Sequence, residues 1–532
     1  MNNQVNRIFL FLIIIGLIFG FKLRAQVIID HSYKFSKTLD YITRYYVDSI
    51  DQSSLVETAL VAMLKELDPH SVYIKAKDVK TMNEPLQGNF EGIGIQFDIL
   101  NDTIYIVSII PGGPAERAGI MAGDRIITVE GEDVTNKNLK TKDVKDRLLG
   151  DKGTKVSLGV KRKFQKDFIN FVLVRDKVPI FSIEAAYMAS PEVGYIKLIR
   201  FAATTLDEFR DAVKSLRKKG MKSMILDLRG NGGGFLNVAV ELADEFLEDD
   251  KLVVFTEGEK SVKAESYSSS KGLFEKGKLV LMTDEGSASA SEIICGAIQD
   301  WDRGILVGRR TFGKGLVQRP FTLPDGSVIR LTTARYYTPT GRLIQKSYKD
   351  GVLEYKNDLN NRIQNGELFY ADSIKFPDSL KYQTMVKKRK VFGGGGIMPD
   401  IFVPLDTSFY TDYYRSLINQ GILNDFCLEY VDDHRITLLK KYKAFSDFEK
   451  DFSISDELLN KLTEYAQKNN VEKNISEYTI SKEEIRILVK AYIASDLWSS
   501  GEYFQIVNRS NNTYLSAIKV LTGSNEYEMV LK

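Results

Sequence analysis

The segment Gly286-Ser287-Ala288-Ser289-Ala290-Ser291-Glu292 constrains this chain more than any other, because an apolar run, Leu279 to Met282, leads into it and a helical pattern, Glu292 to Asp300, leads out. A strand, a tight turn and a helix follow one another there. Small residues at the turn admit close approach by another backbone, and the unpaired N–H groups of the new helix face any negative charge that develops beside them. A serine in that position suits acyl transfer. The residues alone leave Ser287, Ser289 and Ser291 open as the nucleophile, and Ser289 to Glu292 also fits the S-x-x-E capping box of an ordinary helix start.

A serine hydroxyl needs a neighbouring base. The three histidines, His31, His70 and His434, stand in no Ser-His-Asp pattern. Lys314 is the better candidate: it sits between Gly313 and Gly315 after the apolar strand Ile305 to Gly308, with Gln318 four residues further on. To act as a base it must be neutral. Moving a lysine pKa from ~10.4 to near ~7 takes about 4 to 5 kcal/mol, which burial among apolar walls supplies by desolvation. No histidine pair or cysteine cluster has ligand spacing, so no metal and no organic cofactor is expected.

These blocks, in order, resemble the C-terminal processing peptidases, or tail-specific proteases, from roughly Ser54 to Asp400. The resemblance rests on Leu67-Asp68-Pro69-His70-Ser71, a PDZ-like segment, Asp227-Leu228-Arg229-Gly230-Asn231-Gly232-Gly233-Gly234, the serine and lysine blocks, and Tyr337-Thr338-Pro339-Thr340-Gly341-Arg342. It implies a Ser-Lys dyad with Ser289 as nucleophile, Lys314 as base and Gln318 holding the lysine. It also implies an α/β protease core of crotonase/ClpP-like ββα repeats carrying an inserted PDZ domain.

Around the glycine run, Met224 to Leu228 reads as a buried strand and Asn237 to Leu247 as a helix, an arrangement in which ligands bind where strands end. No P-loop lysine follows, which argues against nucleotide binding. An oxyanion hole fits better, with one donor from Gly233 or Gly234 and the other from Ala290.

Residues 89–175 alternate short β-rich runs with turns and two helical pieces, Pro114 to Ala118 and Lys142 to Leu149, in the order of a PDZ domain. Gly92-Ile93-Gly94-Ile95 stands where such domains bind a terminal carboxylate, backbone N–H groups forming the nest while strand and helix grip the peptide. The protease core is then expected over 176–404, preceded by a helical segment, 27–88, that opens with a cap at Ser54. Residues 405–532 read as a helical appendage with a cap at Ser481 and an apolar stripe of Ile485, Leu488, Val489, Tyr492 and Ile493.

Several domains are expected, since single cores stop growing near about 250 to 300 residues. Lys plus Arg of 73 against Asp plus Glu of 71 leaves a net charge of +2, giving no support for nucleic-acid binding. Arg7 followed by the apolar run Ile8 to Phe21 makes residues 1–25 a secretory signal or an N-terminal anchor, with 8–21 as the tether. The chain is therefore expected in the periplasm, as a serine endopeptidase cutting exported proteins by their unfolded or exposed C-terminal tails; nothing assigns an adaptor or a homo-oligomer. The rival reading is a non-catalytic PDZ scaffold on a peptidase fold.

Overall fold

The computed structural model describes residues 30–163, 165–269 and 271–532, so the signal or anchor read in residues 1–25 lies outside them. The chain divides into two compact units, residues 1–67 and 68–532.

In the first unit, helices His31–Tyr45 and Gln52–Lys65 are capped by Asp30 and Asp51. The second therefore begins before Ser54: the Asp51 carboxylate accepts from the N–H groups of Ser53 and Ser54, satisfying the orphan donors earlier in the chain than the expected cap.

The larger unit is built on a six-stranded sheet in the order Ile183–Met188, Val193–Leu198, Ser223–Asp227, Leu279–Thr283, Ile305–Gly308, Ile401–Phe402, with only the first pair antiparallel. Its central strands are continuous apolar runs because both faces are covered. Leu279 and Leu281 point into a core shared with helices Thr205–Lys218, Leu236–Asp244 and Ala290–Asp300. Val280 and Met282, on the other face, meet Tyr514, Ala517, Val520 and Leu521 of helix Asn512–Thr522, and Tyr527 beyond it. Full burial of each such aliphatic side chain contributes about 1.5 to 3 kcal/mol. The end of the expected appendage is thus a layer of the core.

A second sheet lies beside the first: Val72–Ile74, Val328–Tyr337, Leu252–Gly258 and Ser261–Tyr267, with Leu316–Thr322 also on Val328–Tyr337. The last pair forms a hairpin through Asp325-Gly326, a dipeptide whose sequence marks such a turn, and Gly326 takes the φ of +83° that the turn requires. The lysine loop, 309–315, is the crossing from the first sheet to the second.

Strands between Ile95 and Val174 form the PDZ-like sheet, with helices Pro114–Ala118 and Thr141–Leu148 on it. A two-stranded ribbon, Asn89–Gly92 against Asp176–Pro179, joins this sheet to the core. Helices Asp412–Asn419, Ile422–Lys441, Asp456–Lys468 and Ile475–Leu497 surround a core of their own, including Leu417, Cys427, Leu459, Val489 and Ile493. Ser481 lies inside the last of these; the Asn474 side chain caps that helix, while the buried Ser481 hydroxyl donates to Phe409 O. Leu428 from this region packs with Leu100 and Tyr105 of the PDZ-like sheet, and Asp432 pairs with Arg125 at 2.8 Å and Lys163 at 3.0 Å.

Candidate active site

The three serines of the turn differ in what their hydroxyls do. Ser287 is fully buried and donates to Leu228 O at 2.8 Å; Ser291, also fully buried, donates to Asn231 O at 2.9 Å. Both tie the turn to the glycine run. Ser289 is half-buried, and its hydroxyl donates to no acceptor among the described residues. Its backbone has φ +57° and ψ −113°, a conformation of order 1 to 3 kcal/mol above relaxed values, held by the contacts on either side.

Those contacts converge on Glu292. Its carboxylate is fully buried and accepts from four donors: Ser289 N–H at 2.8 Å, Thr311 Oγ1 at 2.5 Å, Gly313 N–H at 2.7 Å and Lys314 N–H at 2.9 Å. Burial raises its pKa and the four donors oppose that rise. Across the same gap the buried Tyr336 hydroxyl lies 2.7 Å from Lys314 O and 3.1 Å from Ser289 O. The serine turn and the lysine loop are thereby joined twice through their backbones.

The lysine loop has further supports. Thr311 N–H donates to Ile397 O while Ile397 N–H donates to Thr311 Oγ1, so the segment Gly396 to Asp400 returns to the core against this loop. Arg362, on helix Val352–Gln364, donates to Thr311 O and Arg310 O. Neither Glu292 beyond its cap nor Tyr336 and Arg362 were signalled by sequence pattern, since each acts on a backbone group far away in the chain. The Lys314 side chain itself is half-buried, and burial lowers its pKa, with the Arg330 charge adding to the effect and Glu292 and Asp68 opposing it. Burial, then the Lys314 charge, also brings His70 down to about 4; its Nε2 lies 2.7 Å from Tyr355 Oη. The block Asp68 to Ser71 thus lies within electrostatic reach of the lysine, with the Asp68 carboxylate accepting from His70 N–H, Ser71 N–H and Thr332 Oγ1.

Gln318 donates to Thr332 Oγ1 at 3.3 Å, and no hydrogen bond joins it to the Lys314 amine among the described residues. The glycine run divides likewise. Gly233 N–H is committed to Asn231 Oδ1 at 2.9 Å, whereas Gly234 N–H and Ala290 N–H have no acceptor among the described residues. Of the two glycines, Gly234 is therefore the one with a free donor. Gly233 matters by its size: a Cβ there would stand 2.9 Å from both Ala290 N and Ser289 Cβ.

In the PDZ-like sheet, Ile93, Gly94 and Ile95 line a cavity of about 300 Å³ with Phe97, Leu148 and Pro85. Gly92 does not line it; it pairs with Asp176 in the ribbon.

Peptidase family S41 matches residues 192–353, a PDZ domain residues 105–162, the activating protease CtpB N-terminal domain residues 22–78, and a family of unknown function residues 413–499. The chain is 34% identical over 317 residues to a carboxy-terminal-processing protease of Bartonella bacilliformis, covering 59% of this chain and 72% of that one. It is 34% identical over 357 residues to the carboxy-terminal processing protease CtpB of Bacillus subtilis, covering 64% and 74%. Among solved structures, a photosystem II D1 C-terminal processing protease aligns at 30% identity with a TM-score of 0.34, over 58% of this chain and 82% of that one.

Proposed function

The chain belongs to peptidase family S41, the carboxy-terminal processing proteases, and is a serine protease; from that premise we propose that Ser289 and Lys314 are its dyad and that it cuts exported proteins selected by their C-terminal tails. The observation that carries the assignment is the contrast among the serines: only the Ser289 hydroxyl keeps its proton uncommitted, and its backbone is tied through Glu292 to that of Lys314.

Neutral Lys314 takes the Ser289 proton as Oγ attacks the peptide carbonyl. The oxyanion that forms faces the N–H groups of Gly234 and Ala290, donors already in place and needing no reorganisation. Lysinium returns the proton to the departing amine, leaving an acyl-enzyme, and a water deprotonated by Lys314 then releases the acid. Gln318 contributes polarity to the lysine pocket from its place on Thr332.

A substrate tail suits the cavity beside Ile93 to Ile95: backbone amides bind its carboxylate, and Phe97 and Leu148 take an apolar terminal side chain. Export to the periplasm, free or tethered, rests on the apolar run Ile8 to Phe21. The test is to incubate the wild type and Ser289→Ala with an unfolded protein bearing a free or an amidated C-terminus. Hydrolysis by the wild type alone, faster for the free acid, supports the whole reading. Equal rates for the two termini refute tail selection, and cleavage by Ser289→Ala refutes the nucleophile.

A further inference from the structure

The glycine run is held at its far end by the bridge between Gly234 and Phe201, whose N–H donates to Gly233 O, and at its start on two sides. Towards the nucleophile, Asn231 O accepts from Ala288 N–H and from Ser291 Oγ, and Asp284 Oδ1 accepts from the N–H groups of Gly230 and Gly286. On the other side the anchor is Arg229. The guanidinium grips the fully buried Asp227 carboxylate through Nε at 3.0 Å and Nη2 at 2.7 Å, which leaves Nη1 pointing away from the strand. That Nη1 donates to Asn511 Oδ1 at 2.7 Å, and Nη2 also reaches Asn508 Oδ1 at 3.3 Å. Both asparagines come from the turn between helices Ser500–Val507 and Asn512–Thr522.

At this end Arg229, Gly230 and Asp284 line a cavity of about 440 Å³ together with Asn508 and Asn511, so directional bonds bear on where the loop stands. We infer that Asn511 is a positioning residue for peptide hydrolysis: by holding Arg229 Nη1 it sets the origin of the Gly230–Gly234 loop, and hence the distance of Gly234 N–H from the carbonyl under attack. This rests on the reading of Gly234 and Ser289 given above.

Asn511 Oδ1 also accepts from Tyr514 N–H at 3.0 Å, capping the helix that covers the core sheet, so the test must separate the two bonds. Asn511→Ser keeps a good cap but is too short for Arg229; Asn511→Asp keeps both. On an unfolded protein substrate, Asn511→Ser is expected to melt within a few degrees of the wild type while kcat falls about tenfold with KM unchanged, the signature of a contact used in the transition state. Asn511→Asp is expected within about twofold of wild type in kcat, because its carboxylate accepts from Arg229 at least as well. Asn511→Thr, an alternative cap of similar reach, replaces the serine variant if that one does not fold. Full kcat in the serine or threonine variant, an equal loss in Asn511→Asp, or a loss carried by KM overturns the inference. Undiminished cleavage by Ser289→Ala removes the site reading, and the inference with it.

Discussion

Ser289 N–H and Lys314 N–H share a single acceptor, Glu292 Oε2, at 2.8 and 2.9 Å. The other oxygen takes Thr311 Oγ1 and Gly313 N–H. One carboxylate thus sets the spacing between the backbones that carry the proposed nucleophile and base, and only an acceptor at both positions can do so.

Glu292→Gln should therefore inactivate the enzyme without touching a reacting group. Its amide nitrogen would face one pair of donors, and each orphaned donor costs about 1 to 3 kcal/mol. Expected is a kcat loss of at least about a hundredfold with a lowered melting temperature, by analogy with a misplaced reacting group. An unchanged kcat in a folded variant would refute the bridging role.

The neighbouring serines give the opposite pattern to Ser289. Ser287→Ala and Ser291→Ala should each lose roughly 1 kcal/mol of stability, because each removes one of the two donors on a buried carbonyl, Leu228 O or Asn231 O, yet keep measurable hydrolysis. Ser289→Ala should keep its stability and lose all hydrolysis. Denaturant titrations alongside peptide cleavage assays check both columns.

Lys314→Ala and Lys314→Arg should both be inactive, the second because guanidinium stays protonated. In the wild type, burial holds the lysine pKa below 10.5, so kcat/KM should rise with pH as the amine loses its proton and then level off. Stability moves the same way. Between the depressed folded value and 10.5 the unfolded chain binds the additional proton, so raising pH through that window favours the folded state, by linkage. A pH profile that is flat where the protein stays folded would count against Lys314 as base.

Gly233→Ala should remove activity through space rather than charge. The new methyl would sit 2.9 Å from Ala290 N and from Ser289 Cβ, at a φ of +100° that an alanine resists. A loss of about a hundredfold to a thousandfold in kcat is expected, as for removal of one oxyanion donor. Near-normal kcat would mean that Ala290 N–H does not face the reacting carbonyl.

What could be read from the sequence was local chemistry. The serine and lysine blocks, the hairpin at Asp325-Gly326 and the helical stripe ending at Ile493 each carry their signal within a few residues, and each is found in the structure as strand, turn or helix. Glu292 shows why more was hidden: its capping role is written in the S-x-x-E spacing, whereas its second role needs Thr311 to Lys314 to arrive from another part of the chain. Gln318 is the converse, a residue placed by resemblance whose amide lies on Thr332. The helices after Ser500 were legible as helices, but amphipathic periodicity names no partner, so their place on the core sheet was not. In the PDZ-like domain the glycine spacing located Ile93 to Ile95, while the pairing of Gly92 with Asp176 depends on a strand far downstream.

The layer formed by helix Asn512–Thr522 and Tyr527 has a consequence for the order of events in biosynthesis. Leu279 N–H, at the start of the strand that leads to Ser289, donates to Tyr527 Oη, a partner 248 residues away in sequence. While the chain emerges from the ribosome, Ser289 and Lys314 are made long before the surface against which their sheet must pack, and Val280 and Met282 stand bare meanwhile. Folding in such a chain waits for its distant half. Hydrolytic competence is therefore expected only after translation has passed Tyr527, when the sheet that carries Ser289 gains its second covering layer.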